Sequence, residues 1–225
     1  MKLALLIAIW IYFCATTIRR SHCWTTPLRL WQQAYADGSR KLRVLVNLNY
    51  AYQHSGDFQQ ASIWAKRALD IQPQLLPVKM NVATALSAQG RTDEAIQVLN
   101  DAVQGTPLIW QAWKVLGSLY EQKGEWMSAL GAYTRAVELY REDAELYNHV
   151  GAMRVKLNAW EQALQPFETA YRLNPDNASY AYNIAMLYFK DGKRELALEW
   201  YKRIPENATM PDELSKLLDV EVSVA

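Results

Sequence analysis

At 225 residues, 51% of them apolar, the chain is long enough for one continuous core plus an appendage, and only 9 Gly and 8 Pro argue against long disordered segments. Lys plus Arg (24) nearly balances Asp plus Glu (23), which excludes a basic surplus for nucleic acid and a like-charge tail. Both cysteines, Cys14 and Cys23, precede the patterned region, so a disulfide framework does not hold this fold.

Residues 3–18, LALLIAIWIYFCATTI, form one apolar run. As a helix it would span roughly 24 Å, short of the ~30 Å hydrocarbon layer, and Arg19 and Arg20 could snorkel to recover the deficit. A cleaved signal peptide needs small residues at positions −3 and −1, and Phe13-Cys14-Ala15 is a poor match. A lipoprotein signal needs small residues directly before its cysteine, and Phe13 and His22 fail that. The residues favour an uncleaved signal anchor over residues 1–20, with a cleaved signal as the alternative. Lys2 and the amino terminus oppose Arg19 and Arg20, so the positive-inside rule leaves the orientation close to a tie.

In residues 21–41, Thr25 or Thr26 can cap a helix with Pro27 in its first turn, and Asp37-Gly38 is a stop. A lone covering helix is predicted over 27–36. Ala34 lies one repeat period before Ala68, so this helix resembles the second half of a degenerate repeat. Trp24 and Trp31 read equally well as interfacial anchors or as packing against the next helices.

From residue 42 the chain repeats itself in 34-residue steps. Gly124 maps to Gly56, Gly90, Asn158 and Gly192, and Ala129 to Ala61, Ala95, Ala163 and Ala197. Ala136 maps to Ala68, Ala102, Ala170 and Ile204, and Pro73, Pro107 and Pro175 close three of the units. Five helix pairs are predicted: 42–75, 76–109, 110–143, 144–177 and 178–211. Two helices meeting at a tight angle need small residues where their axes cross and large ones where they diverge. A pair this short cannot bury its apolar face alone, so it needs copies of itself on both sides.

Several positions depart from the pattern. Asn49 replaces a small residue and Ala65 an aromatic one, which predicts looser packing in the first pair. Lys79 stands where Trp113 does, and Arg154 where Tyr120 does. Pro166, inside a second helix, should remove the bond to Gln162 and kink the helix. Ile204-Pro205 ends the last pair early. Residues 211–219 read as an amphipathic capping helix with Leu214, Leu217 and Leu218 inward, within a C-terminal region 212–225 whose tail is frayed.

No catalytic, cofactor or metal constellation is present in the sequence. His22, His54 and His149 are scattered, and there is no G-x-S-x-G, P-loop or H-E-x-x-H. Glu142-Asp143 reads as a solvated helix end. Trp113, Trp126 and Trp160 fall where side chains pack between helices and read as core, while Trp64 and Trp200 share one position on a second helix.

Trp113, Leu116, Gly117 and Tyr120, then Ala129, Tyr133 and Ala136, form the pattern W-x2-L-G-x2-Y followed by A-x3-aromatic. In this the chain resembles the tetratricopeptide-repeat family. The resemblance implies an all-α, right-handed superhelical α-solenoid of five helix pairs. A lone helix, a capping helix and an N-terminal membrane helix complete the expectation. It also implies a concave groove lined by the first helix of each pair.

One row on those first helices reads Asn47, Asn81, Val115, His149 and Asn183, with Asn148 adjacent. A carboxamide offers one acceptor and two donors, which suits a peptide backbone. The row is similar to that of the O-linked N-acetylglucosamine transferases. The candidate peptide-binding residues are Asn47, Tyr50, Asn81, Lys114, Asn148, His149, Tyr182, Asn183 and Met186. Tyr182, Met186 and Phe189 make an apolar end suited to an anchor. The basic clamp of chaperone-binding repeat domains is not matched, since the relevant row reads Val46, Met80, Lys114, Asn148 and Tyr182.

Trp24, Leu30-Trp31, Ala34, Arg43 and Asn47-Leu48 after an apolar helix resemble the junction in transmembrane O-mannosyltransferase-like glycosyltransferases. That resemblance implies repeats on the extracytoplasmic side and a match to the non-catalytic end alone. The expected function is a membrane-tethered, non-enzymatic scaffold that binds an extended protein segment, attached to the membrane through residues 3–18. An accessory, acceptor-recruiting domain of a glycosyl-transfer system is the alternative, and an assembly factor of a cell-envelope complex a lesser one.

Overall fold

The computed structural model describes residues 26–105 and 107–205, and their regular elements are all α-helices. The described helices are α1 (Pro27–Ala36), α2 (Leu42–His54), α3 (Phe58–Ile71), α4 (Leu76–Ser87), α5 (Thr92–Gly105) and α6 (Trp110–Lys123). They continue with α7 (Trp126–Leu139), α8 (Ala144–Lys156), α9 (Trp160–Leu173), α10 (Ala178–Lys190) and α11 (Arg194–Tyr201). The signal anchor over 1–20, Trp24 and the capping helix in 212–225 lie outside the described residues. Among the described residues no helix is long and apolar enough to cross a membrane. The chain forms two compact units that meet in sequence within α5, one ending at Ala102 and the other starting at Val103.

Helix starts follow local chemistry. Thr26 Oγ1 accepts from the Arg29 amide at 3.3 Å with Pro27 next in line, Asp57 accepts from Gln60, and Asn177 accepts from Ser179. Helix ends follow the shared turn position. Gly124 has φ 76°, with its amide donating to Glu121 and the next amide to Tyr120. Asn158, at φ 60°, repeats both bonds onto Val155 and Arg154, so asparagine supplies the left-handed turn where the pattern lacks glycine.

In the first unit each of α1 to α3 packs on the helix that follows it. The edge of Tyr35 on α1 meets the Trp64 ring on α3 at 4.6 Å, and Arg40 lies over Tyr35 at 3.7 Å. Four repeat steps later Tyr171 and Trp200 make the same edge contact at 5.0 Å, so α1 packs on the first pair as the second helix of a preceding repeat does. The looser packing expected at Asn49 is corrected. Its side chain is fully buried, its Nδ2 donates to the Ala61 carbonyl at 2.9 Å, and its Oδ1 accepts from Gln53. A larger residue at the crossing is matched by a smaller one, the buried Ala65, on the facing helix.

In the second unit the sizes are reversed. A Cβ added to Gly117 would lie 2.7 Å from the Tyr133 ring, and one on Gly151 would lie 2.6 Å from Phe167. Tyr133 is fully buried, and Phe167 nearly so. Trp113, Trp126 and Trp160 are half-buried flanks of the core rather than its interior. Trp113 donates to the Pro107 carbonyl, and the Lys190 ammonium sits 3.6 Å over the Trp160 ring.

The α9 helix runs unbroken from Trp160 to Leu173 with Pro166 inside it. Proline cannot donate to Gln162, and the Arg154 guanidinium takes that carbonyl instead at 2.6 Å. The two departures at residues 154 and 166 are therefore a matched pair.

Candidate functional site

In the second unit the first helices α6, α8 and α10 carry the candidate residues. Lys114 on α6 bonds to Asp143 at 3.1 Å and to the Glu145 carboxylate, both at the start of α8. Asp143 also caps α8 by accepting from the amides of Glu145 and Leu146. The pair Glu142-Asp143 is thus not simply solvated: the Asp143 side chain is 15% exposed and serves both Lys114 and the helix start. Burial pulls the Lys114 ammonium pKa down, but bonds to Glu145 and Asp143 outweigh it and hold the group above its ordinary value.

His149 stacks on Tyr133 with ring centres 4.6 Å apart and planes 11° from parallel. Its Nδ1 lies 3.3 Å from Glu121 and its Nε2 3.8 Å from Glu145. The Tyr133 hydroxyl donates to Glu121 at 2.8 Å. Burial, then that carboxylate, push the Tyr133 phenol well above its usual range, and burial also raises the Tyr180 phenol. Asn183 on α10 donates to Asn148 Oδ1 on α8 at 2.8 Å. The two carboxamides therefore position each other.

Asp143, Glu145, Asn148 and His149 line a cleft of about 790 Å³, and Lys114 and Asn183 bond to these wall residues from outside the lining. Its walls include Trp110, Tyr140, Glu142, Asp143, Glu145, Asn148, His149, Asn177, Ser179 and Tyr180. Trp110 and Tyr140 stack at 4.8 Å with planes 19° apart. Among the described residues, three carboxylates line the cleft and no lysine or arginine does. A second cleft of about 590 Å³ lies at the helix turns beside Trp160 and Lys190. The arrangement holds polar groups and exposed ring faces ready for a ligand.

The remaining candidates lie apart from the cleft. Tyr182 and Met186 are half-buried against Ala185 and Ala197, so the apolar end is largely packed. In the first unit Asn47 and Asn81 are half-buried on α2 and α4, and Gln53 Nε2 reaches the Asn81 carbonyl at 3.3 Å. Tyr50 is 58% exposed and meets His54 edge-on at 4.2 Å. Sequence reasoning found Lys114, Asn148, His149 and Asn183 but missed Trp110, Tyr140, Asp143 and Glu145. The carboxylates that hold Lys114 lie 29 and 31 residues away, one helix pair on, a spacing that a search within each helix does not test.

Family models described as tetratricopeptide repeat match residues 42–75, 82–145 and 154–211. Human Protein O-mannosyl-transferase TMTC1 is 28% identical over 195 residues, covering 83% of this chain. The chain spans only 22% of that protein's length. The solved structure of Pseudomonas aeruginosa pilF superimposes with a TM-score of 0.70 at 19% identity, over 79% of this chain and 84% of that one. YrrB, described as a TPR protein with an unusual peptide-binding site, superimposes with a TM-score of 0.64 at 18% identity, over 84% of this chain and 95% of that one.

Proposed function

The chain belongs to the tetratricopeptide-repeat family, and from that premise we propose that it is a non-enzymatic scaffold that binds an extended protein segment on its first helices. The observation that carries this reading is the open cleft on α8 and α10, in whose wall Asn148 is held by Asn183 and Asp143 by Lys114. Binding rigid, pre-positioned groups costs less ordering entropy than binding mobile ones. The peptide-binding site ascribed to YrrB supports the same use of this fold. Tethering through residues 3–18, with the repeats extracytoplasmic, completes the proposal, and five helix pairs over 42–211 are its architecture.

Recovery of partners from solubilised membranes tests it, comparing wild type with Asn47, Asn81 and Asn183 all changed to Ala. Loss of partner recovery is expected, and unchanged recovery would remove the carboxamides from the proposal. Protease protection on sealed vesicles tests the side of the membrane. The similarity to TMTC1 favours a second reading, an accessory domain that brings acceptor protein to a membrane glycosyltransferase. A multi-pass glycosyltransferase among the recovered partners would select it.

A further inference from the structure

Taking the binding role proposed above as its basis, we infer that the cleft of the second unit selects a basic segment. A cationic side chain, arginine best, would sit among Glu142, Glu145 and the stacked Trp110 and Tyr140.

The charge on this face is local. The whole chain carries a formal net charge of +1, yet among the described residues Glu142, Asp143 and Glu145 line the cleft without any lysine or arginine. Lys114 offsets one of the three by bonding to Asp143 and Glu145 from behind. Three carboxylates outnumber Lys114 and His149 together, so the cleft keeps a negative balance that concave, low-dielectric walls focus on whatever enters. Lys114 is itself an internal example of the guest, an ammonium held between two carboxylates.

The aromatic wall adds a preference. Tyr140 is 36% exposed, and its stack on Trp110 offers a ring face beside the carboxylates. A guanidinium can lie on such a face and still fork to a carboxylate, which an ammonium does less well. An acidic or phosphorylated segment meets like charge here. A purely apolar segment would desolvate carboxylates without pairing them. Asn148, Asn177 and Ser179 remain for main-chain groups.

The test is a displayed library of random linear peptides, selected in parallel against the full chain and against a Ser179→Trp variant that obstructs the cleft. The expected result is enrichment of arginine- or lysine-bearing peptides on the unobstructed chain only. Their affinity should fall at least tenfold in Glu142→Gln/Glu145→Gln and drop steeply between about 0.05 and 0.5 M salt, as expected for charge pairing. If the double variant fails to keep its helical circular dichroism, Glu142→Lys alters only an exposed turn residue and should cause a similar loss. Peptides without basic residues that still require the open cleft would overturn the charge selection and leave the groove standing. The same peptides recovered on both proteins would overturn the cleft as a site altogether.

Discussion

Gly117 is where one hydrogen atom in place of a methyl group decides the packing. A methyl there would press 2.7 Å into the face of Tyr133, a buried ring with no room to retreat. Gly117→Ala should therefore cost about 1–3 kcal/mol, measured by urea unfolding. Gly131 is the internal control. It lies inside α7 with nothing within 4 Å of an added Cβ, so Gly131→Ala should gain about 0.5–1 kcal/mol by removing backbone freedom from the unfolded chain. The difference between these glycines was legible in the sequence, because Gly117 falls on a repeat position and Gly131 does not. Asn49 is harder to read. Its type announces a break in the size pattern but cannot show that the Ala61 carbonyl lies within reach.

The α9 helix shows the same lesson over a longer span. Pro166 announces a lost hydrogen bond, and Arg154 announces a missing aromatic, but sequence alone does not join them. They belong to different helices, and the carbonyl they share is on a third residue, Gln162. Arg154→Ala should cost about 1–2 kcal/mol, since a hydrogen bond to a charged donor is lost and the carbonyl is left to water. Restoring the internal bond with Pro166→Ala should shrink that cost. A double-mutant cycle in urea would measure the coupling, and strict additivity would show that the guanidinium is not compensating for the proline.

For the molecule as a whole, solution alkalinity is an informative stress. The folded pKa values of Tyr133 and Lys114 are both raised, from ordinary values of 10.0 and 10.5. Well below pH 10 both groups hold their protons whether the chain is folded or not, and their contribution to stability is constant. Above that the unfolded chain releases protons that the folded chain keeps, so stability falls as pH rises. Tyr133→Phe should flatten the decline between about pH 10 and 11 in thermal melts, even though it starts from lower stability for want of the Glu121 bond. The helices and turns were legible from periodicity because each is set by neighbours a few residues away or one period on. The cleft was half legible. Its first-helix residues Asn148 and His149 recur with the period, whereas its carboxylates come from the turn and first residues of α8 and its ring pair joins the start of α6 to the end of α7.

The opposed side-chain sizes have a consequence for recombination. Each fit is settled inside one hairpin: Asn49 with the small Ala65, Gly117 with Tyr133, Gly151 with Phe167. Whole hairpins exchanged at junctions near Pro73, Pro107 and Pro175 would carry their own fit with them. A chimaera cut inside a hairpin would not. Joining α2 to α7 would drive an amide into a phenol ring, and joining α6 to α3 would leave a hole where the ring had been. Gene shuffling in this chain should therefore yield folded products from the first kind of crossover and insoluble ones from the second.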